Sequence, residues 1–581
     1  MKRGLNWKQG LAFAAGAFLV LGVSACSQKS ETAAAPPAQV VDWPAFVQSF
    51  ITSDFTFNPD FAIYEGKHEF DGKLPDWSEE GLQKQIASLK DWKTKAQAID
   101  PAKLTKAQAF ERDYLIAVID GKLFWLDTAD WPHKNPAFYG LDPNVYVARP
   151  YADVTTRMKA FTQYALAVPK AVEQIKANLR PPLPRSYIDN GVATFNGLAE
   201  YMKTDVKEAF KDGDAADKPA FDTAAAGAAD AFTSLAKWLE DQRKTQTEGF
   251  AMGPDLFSKM LYETERVDTP LDQLEAIGRA DLKRNQDALA EACSKFAPGK
   301  SIKDCVAKEA ADKPEGGVVE YARKQLVELK QFVIDHNVAT VPEGQEAKAE
   351  ESPPYNRQNS AYIDPPGPYD KNLPAVYYIS PPDPTWSKAK QNAYIPGKAD
   401  LLFTSVHEVW PGHFLQFLHS NRSDSIFGQI YVGYAFAEGW AHYAEEMMWD
   451  EGLGDGDPET HVGQLLNALL RNVRFLSAIG MHTKGMTQAE SEKMFLEDAY
   501  QDPGNAEQQA ARGTYDPAYL NYTMGKLMIR KLRDDWCAAK GKSADDKTCW
   551  KDFHDAFLAY GGPPIPLIRG AMLNEKASAA F

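Results

Sequence analysis

Apolar residues recur at three- and four-residue intervals along most of this chain. That spacing places them on one face of an α-helix and therefore predicts helices. Thr105-Lys106 and Thr269-Pro270 are typical of helix starts, because Thr caps free backbone N–H groups and Pro is tolerated in a first turn. The predicted helical segments in the first 340 residues are 80–98, 106–125, 154–178, 221–245, 270–296 and 316–337.

Two stretches, 130–151 and 353–396, interrupt the helical pattern and are rich in Pro, Tyr, Asn and Asp. The second contains an aromatic and β-branched run at 375–379, which predicts a short strand. Helical periodicity resumes at Asp400 and continues, with breaks, to the C-terminus. We therefore predict a mainly α-helical protein with a minor β component.

The Pro-rich stretch also bears on domain organisation. It favours an N-terminal helical half, 43–352, and a C-terminal half, 353–581, which carries the candidate chemistry. One continuous domain over 43–581 fits the same pattern, because the chain is long enough for one large domain or two to three ordinary ones.

The first 25 residues have the three parts of an export signal. A head with three basic residues precedes an apolar run over 11–23, which is too short to span a bilayer comfortably. The segment closes with Val23-Ser24-Ala25-Cys26, a small-residue cleavage site followed directly by Cys. This predicts a signal peptide over 1–25 and a lipid anchor on Cys26. The alternative is an ordinary signal peptide with an incidental Cys.

Residues 26–42, rich in Ala, Pro, Ser and Gln, predict a flexible tether. Ser27, in place of Asp after the lipidated Cys, favours the outer membrane. The expected location is the bacterial cell envelope, with the protein held to a membrane through Cys26 and facing the periplasm or the exterior.

The net charge disfavours certain classes of binding partner. The formal charge is −16, and loss of the signal peptide removes three positive charges to leave about −19. Nucleic-acid binding needs a basic face, so we expect no nucleic-acid partner. The same sign argues against adhesion to anionic lipid beyond the acyl anchor. The oligomeric state does not follow from the sequence.

Four further cysteines form two pairs, Cys293 with Cys305 and Cys537 with Cys549, each separated by 12 positions around a polar loop. In an exported protein this predicts two local disulfides. The alternative is four buried thiols, and the wide spacing disfavours a cysteine metal site.

Six of the ten histidines lie between His407 and His482. The densest element begins His407-Glu408 and reaches a second histidine at His413 after Pro411-Gly412. In helical zinc peptidases a His-Glu pair and a downstream His supply two metal ligands and a general base. The alternative is a polar helix end whose side chains hydrogen-bond locally.

The spacing departs from the usual four residues between the two histidines. On a regular helix, His413 would lie about 120° around the axis from His407, too far to share a metal. Pro411 removes one helical hydrogen bond and Gly412 tolerates unusual dihedral angles, so a local bulge could bring His413 to the ion.

A second element supplies a third ligand. Glu438 lies 25 residues after His413, a distance that suits a second helix packed beside the first. His442 and Glu445 follow on the same helix face, and inward-facing charges must be paired or bind metal. We expect Glu438 to bind the metal, and His442 and Glu445 to hydrogen-bond to the ligands; whether His413 or His442 is the second histidine ligand stays open.

Taken together, these motifs resemble a bacterial family known as domain of unknown function 885, which includes many predicted lipoproteins. The resemblance covers nearly all of the mature chain, with His442 at a variable position. The resemblance implies a protein with a large, multi-helix, peptidase-like fold and a zinc-dependent activity. It does not indicate the substrate. The matching elements are His407-Glu408-x-x-Pro411-Gly412-His413-x-x-Gln416, Glu438-Gly439-Trp440-Ala441-x-Tyr443-x-Glu445, Arg471-x-x-Arg474, Gly480-Met481-His482, Tyr522-x-x-Gly525-Lys526 and the segment 253–283.

These residues together predict a zinc-dependent peptidase that cleaves peptides in the bacterial envelope. His407, His413 and Glu438 would hold Zn²⁺, and Glu408 would act as general base on the attacking water. Tyr522 is the first candidate for oxyanion stabilisation and His482 the second. The residues expected to support the ligands or bind substrate are His442, Glu445, Gln416, Arg471, Arg474 and Arg512. The three arginines could bind a substrate carboxylate, although a surface role fits each of them equally.

Two other functions remain open. The chain could be a metallohydrolase of a non-peptide amide or ester, or a non-catalytic binding lipoprotein of the envelope. Glu408 beside His407 disfavours the second, because a structural metal site needs no base. The sequence has no Gly-x-Ser-x-Gly elbow, phosphate-binding loop or dinucleotide fingerprint, and this disfavours those enzyme classes.

Overall fold

The computed structural model confirms the predicted helical character over the residues that it describes, 42–357, 359–574 and 581. The predicted signal peptide, the lipid site at Cys26 and all of the tether except Asp42 lie outside this range. Among the described residues, no helix is both long and apolar enough to span a membrane.

Twenty-four α-helices occupy the described part of the chain, joined in places by 3-10 turns and a π-helical turn at Phe124–Thr128. They are α1 (Trp43–Phe57), α2 (Pro59–Tyr64), α3 (Glu79–Ala98), α4 (Lys106–Leu123), α5 (Asn144–Ala148), α6 (Val154–Asn178), α7 (Arg185–Lys203), α8 (Asp205–Ala209), α9 (Lys218–Gln242), α10 (Pro254–Glu265), α11 (Leu271–Phe296), α12 (Ile302–Ala311), α13 (Val318–Asp335), α14 (Lys388–Tyr394), α15 (Lys398–Glu408), α16 (His413–Ser420), α17 (Ile426–Ile430), α18 (Tyr434–Asp450), α19 (Pro458–Thr483), α20 (Gln488–Glu497), α21 (Pro503–Tyr515), α22 (Asn521–Ala539), α23 (Lys547–Leu558) and α24 (Ile565–Leu573).

Local sequence explains where several helices begin. Thr105 caps α4 by accepting a hydrogen bond from the backbone of Gln108, whose side chain bonds back to Thr105. Asp153 accepts from the backbone of Thr156 at the start of α6, which has the predicted bounds. The predicted and observed starts agree here because a capping side chain fixes each one.

A three-stranded sheet is the minor β component. Its order is β1 (Ala347–Glu351), β3 (Ala375–Ile379) and β2 (Ala361–Asp364), with β1 parallel and β2 antiparallel to β3. The predicted strand is β3, and all five of its residues are buried. Strand β1 lies at an edge and is mostly polar, so its sequence carries little hydrophobic signal.

The described residues from Asp42 onwards form one compact unit with two hydrophobic clusters. One cluster joins the N-terminal helices up to α9 with Phe427, Ile430 and Tyr431 from α17 and the residue after it. The other is built mostly from α10 onwards. The proposed division at residue 353 stays a prediction.

Two disulfides join the predicted cysteine pairs. Cys293 at the end of α11 is bonded to Cys305 in α12, and Cys537 at the end of α22 to Cys549 in α23. Each bond ties two helices that are consecutive in the chain.

Candidate metal centre

The helix that carries the His-Glu pair breaks directly after it. Helix α15 ends at Glu408 and α16 begins at His413, and the link contains a cis peptide bond between Trp410 and Pro411. The N–H of Gly412 donates to the carbonyl of Val406 at 3.0 Å, and a Cβ at Gly412 would overlap the His407 carbonyl. We expected a bulge inside one helix, whereas the structure has a complete break between two helices.

This break brings both imidazoles to one carboxylate. The Nε2 atoms of His407 and His413 lie 3.2 and 3.1 Å from the same oxygen, Oε2 of Glu438 in α18. The three ligand atoms all lie within 4.8 Å of one another. Ligands of a tetrahedral zinc ion, with bonds of about 2.0–2.2 Å, lie roughly 3.3–3.5 Å apart, and the two His–Glu438 separations of 3.2 and 3.1 Å come close to this spacing.

The contacts of Glu445 also favour a metal ion at this site. Glu445 lies on the side of His407 opposite the candidate ligand nitrogen, Nε2. Its Oε1 lies 2.6 Å from Nδ1 of His407 and 3.2 Å from the Arg471 guanidinium, and its Oε2 lies 3.1 Å from Nδ1 of His442. A neutral His407 that donates from Nδ1 to Glu445 has only a lone pair at Nε2, facing the Glu438 carboxylate. A cation between that lone pair and the carboxylate would relieve their repulsion.

The close approach of the Glu438 carboxylate and the two imidazoles shifts the pKa values of Glu438 and His407. Burial opposes ionisation of Glu438, but the two imidazoles outweigh it and hold the pKa of this carboxyl well below its usual value. Burial and Arg471 lower the pKa of His407, yet its contacts with Glu438 and Glu445 outweigh them and raise it. Without a metal, the site therefore attracts protons where a cation would sit.

Glu408 lies beside the ligands but is not one of them. It is buried, makes no hydrogen bond to any other described residue, and faces a cavity that His407 also lines. Burial raises the pKa of the Glu408 carboxyl above its usual value. A free carboxylate with a raised pKa suits a general base.

The cavity has a volume of about 440 Å³, and Tyr522 lines it together with His407 and Glu408. Tyr522 stacks on His407, with ring centroids 5.9 Å apart. Its hydroxyl accepts a hydrogen bond from Arg512 at 3.3 Å, which leaves its own proton free to be donated. The arginines predicted at this site, Arg471, Arg474 and Arg512, all line the cavity.

Two predicted residues lie elsewhere. The Nε2 of His482 donates to the carbonyl of Gly513 at 2.7 Å, and its ring packs against Phe250 and Phe257. Burial lowers its pKa to about 4, so the ring is neutral, and it does not line the cavity; its catalytic role stays a prediction. Gln416 donates to the Ser420 hydroxyl at 2.7 Å and to the Gly561 carbonyl at 3.4 Å, and makes no hydrogen bond to the three candidate ligands.

His442 is not placed as a ligand. It is fully buried, and its Nδ1 donates to Glu445. Burial lowers its pKa to about 4, which keeps the ring neutral. The metal-competent group in the described part of the chain contains His413 instead.

Two residues that the sequence analysis missed hydrogen-bond to arginines of the cavity. Gln509 accepts a hydrogen bond from Nε of Arg474 at 2.8 Å, and the Tyr434 hydroxyl accepts one from Arg512 at 2.8 Å. Tyr434 precedes Glu438 by one helical turn, so helix periodicity could have revealed it. Gln509 carries no local signal.

Comparison with known proteins agrees with this fold. A candidate lipoprotein of unknown function from Shewanella oneidensis is 24% identical, with a TM-score of 0.73 over 92% of this chain and 100% of that one. A candidate lipoprotein from Colwellia psychrerythraea is 15% identical, with a TM-score of 0.77 over 92% and 99%. At these identities the likeness shows the fold alone.

An M32 carboxypeptidase from Deinococcus radiodurans is 13% identical over 86% of this chain and 96% of that one. Its TM-score of 0.35 is too low to support any inference about function. The comparison with curated proteins gives no match. A family model described as "Bacterial protein of unknown function (DUF885)" matches residues 59–572, and the chain therefore belongs to that family.

Proposed function

We propose that this protein is a zinc-dependent peptidase, with His407, His413 and Glu438 as metal ligands and Glu408 as general base. One observation carries the proposal. His407 of the convergent ligand group and the unpaired, buried carboxylate of Glu408 line the same cavity. A purely structural metal site has no use for such a carboxylate or for an adjoining cavity.

The residues divide the chemistry among them. Bound zinc would polarise the attacking water and the scissile carbonyl. Glu408 accepts a proton from that water on a carboxylate oxygen and delivers it to the departing amine. Tyr522 donates its hydroxyl proton in a hydrogen bond to the carbonyl oxygen as negative charge develops there. Glu445 fixes the orientation of the His407 ring from behind.

We further propose that the protein works at the bacterial envelope, anchored by lipid on Cys26. The sequence Val23-Ser24-Ala25-Cys26 and the description of similar structures as candidate lipoproteins support this location. Mass spectrometry of the N-terminal peptide of the protein from the membrane fraction should find residues 1–25 removed and acyl chains on Cys26. A peptide that begins at Cys26 without acyl chains would contradict the anchor.

The experiment that tests the function compares zinc content and peptide hydrolysis in four proteins. These are the wild type, His407→Ala, Glu408→Gln and His461→Ala, in which the control histidine stacks on Trp449 outside the cavity. We expect near-stoichiometric zinc in all but His407→Ala, and hydrolysis only in the wild type and His461→Ala. Wild-type protein that binds no zinc after reconstitution would refute the proposal.

A further inference from the structure

One buried cation in the cavity has no counter-charge. Arg474 is 6% exposed, and no carboxylate oxygen of the described chain lies within ion-pair distance of it. The two neighbouring arginines differ, because Arg471 pairs with Glu445 at 3.2 Å and Arg512 with Asp516 at 3.0 Å. A buried charge without a partner is costly, so the position calls for an anion from outside the protein.

The guanidinium of Arg474 is held in place on one side, while its two terminal nitrogens remain available for a ligand. Its Nε donates to Gln509 at 2.8 Å, and its central carbon lies 4.5 Å from the centroid of the Tyr522 ring. The two terminal nitrogens have no hydrogen-bond partner within the described residues. They present the planar fork that binds a carboxylate through two parallel hydrogen bonds.

The protein's own carboxylates around the cavity are otherwise engaged. Glu351 pairs with Arg357 at 2.8 Å, and Glu320 pairs with Arg323 at 3.1 Å. Asp400 accepts from the side chain of Asn467. Glu408 is free, but the mechanism requires it as the base. No side chain on this wall is therefore left to neutralise Arg474.

We propose that Arg474 binds the free C-terminal carboxylate of the substrate, which makes the protein an exopeptidase that acts from the C-terminus of peptides. This inference rests on the proposed peptidase function. The Tyr522 ring contacts both the Arg474 guanidinium and the His407 ring. These contacts, 4.5 Å from the guanidinium carbon and 5.9 Å from the His407 centroid to the Tyr522 centroid, place Arg474 within about 10 Å of the His407 ring. Because one residue adds about 3.8 Å along the chain, this separation suits a carboxylate one or two residues beyond the scissile carbonyl.

The reaction needs only water. The scissile C–N bond breaks and a C–O bond forms, so the shortened peptide gains a new carboxylate. The released amino acid or dipeptide leaves with a protonated amine and with its original carboxylate still paired with Arg474. That product carries the same anion as the substrate, so we expect it to compete for the site.

The first test uses one peptide in four forms: free at both ends, N-acetylated, C-terminally amidated, and amidated with Glu as the last residue. We expect the first two to be cleaved alike, and kcat/KM for both amides to be lower by roughly 30-fold or more. Equal cleavage of acid and amide would overturn the inference but not the peptidase function. Cleavage of only the Glu-ending amide would assign Arg474 to an acidic side chain, and cleavage of none would remove the peptidase function itself.

The second test needs no turnover. Zinc-loaded Glu408→Gln protein should bind the N-acetylated peptide acid more tightly than its amide in calorimetry. Adding Arg474→Gln should abolish that preference, whereas adding Arg279→Gln should not, because Arg279 is an exposed arginine paired with Glu275 on α11. An unchanged preference without Arg474, in protein with unchanged zinc content, would overturn the inference.

Discussion

Oε1 of Glu445 lies 2.6 Å from Nδ1 of His407, and both side chains are buried. The same carboxylate contacts Arg471 and His442, so it is held in place from three directions. It therefore fixes which nitrogen of His407 carries the proton, and leaves Nε2 free to bind a metal.

Replacing Glu445 with Gln should weaken zinc binding by about 10–100-fold, because the replaced contact orients a ligand without binding the ion. Titration of the apoprotein with zinc and a competing chelator measures the change. Glu446→Gln is the matched control, since Glu446 faces the other way and pairs with Arg284 and Arg530. It should lower stability and leave zinc affinity unchanged; equal losses of affinity in both variants would contradict the role of Glu445.

Replacing Gly525 with Ala should lower both stability and zinc content. Gly439 and Gly525 meet where α18 and α22 cross, and a Cβ at Gly525 would lie 2.6 Å from the Cα of Gly439, next to Glu438. Gly227→Ala is the control, because this exposed glycine of α9 has open space around it. That change should raise stability by roughly 0.5–1 kcal/mol in thermal unfolding. A Gly525→Ala protein with full zinc content would contradict the close packing.

Replacing Tyr522 with Phe should reduce kcat by about 100-fold or more and leave zinc content unchanged, because only the proposed donor to the oxyanion is lost. Steady-state kinetics on a cleaved peptide measures the effect. Tyr519→Phe is the control: the Tyr519 hydroxyl bonds to Ser477, outside the cavity. If both variants lose activity equally, the hydroxyl of Tyr522 has no special role.

Glu265→Gln should change how stability depends on pH. Burial raises the pKa of Glu265 to about 8, although backbone N–H groups at the start of α18 oppose the shift. The folded state thus keeps a proton that the unfolded state loses above about pH 4.5, and the wild type loses stability as pH rises from there to about 8.

The Gln side chain mimics the protonated form and does not titrate. The unfolding free energy of Glu265→Gln relative to the wild type should therefore increase between those pH values, by on the order of 5 kcal/mol, and level off above them. Denaturant unfolding at several pH values measures the difference. A constant difference across the range would show that Glu265 is ionised in the folded protein.

Long amphipathic helices such as α6 could be predicted to the residue, because one buried face gives a clear period. Helix α7 was not predicted. It contains Gly191 and Gly197, which weaken helix propensity, but both lie where a Cβ would come within 3 Å of a neighbour: Leu239 for Gly191 and Tyr355 for Gly197. Tertiary contacts at such positions cannot be derived from local pattern.

The candidate ligands could be predicted because the chemistry of His, Glu and Zn²⁺ restricts them strongly. The sequence could not show whether His482 faces the site. Helix α19 is buried along most of its length, so its faces do not differ in polarity in the way that identifies a site-facing side. His482 shares a face with Arg471, yet 11 residues of helix carry it about 16 Å farther along the axis, beyond the cavity. Periodicity does not report distance along the helix axis, so it could not show that His482 lies outside the cavity lining.

Helix α17 lies in sequence between α16 and α18, which carry His413 and Glu438, but its Phe427 packs against Phe50 and Tyr114 of the N-terminal cluster. The Tyr431 hydroxyl just beyond α17 donates to Asp54 in α1 at 2.8 Å. A fragment that starts at residue 353 would contain every proposed ligand and the base. It would lack the N-terminal helices against which α17, the connection between α16 and α18, is packed. A proteolytic cut that frees the N-terminal helices would therefore inactivate the protein without removing a single residue from its active site.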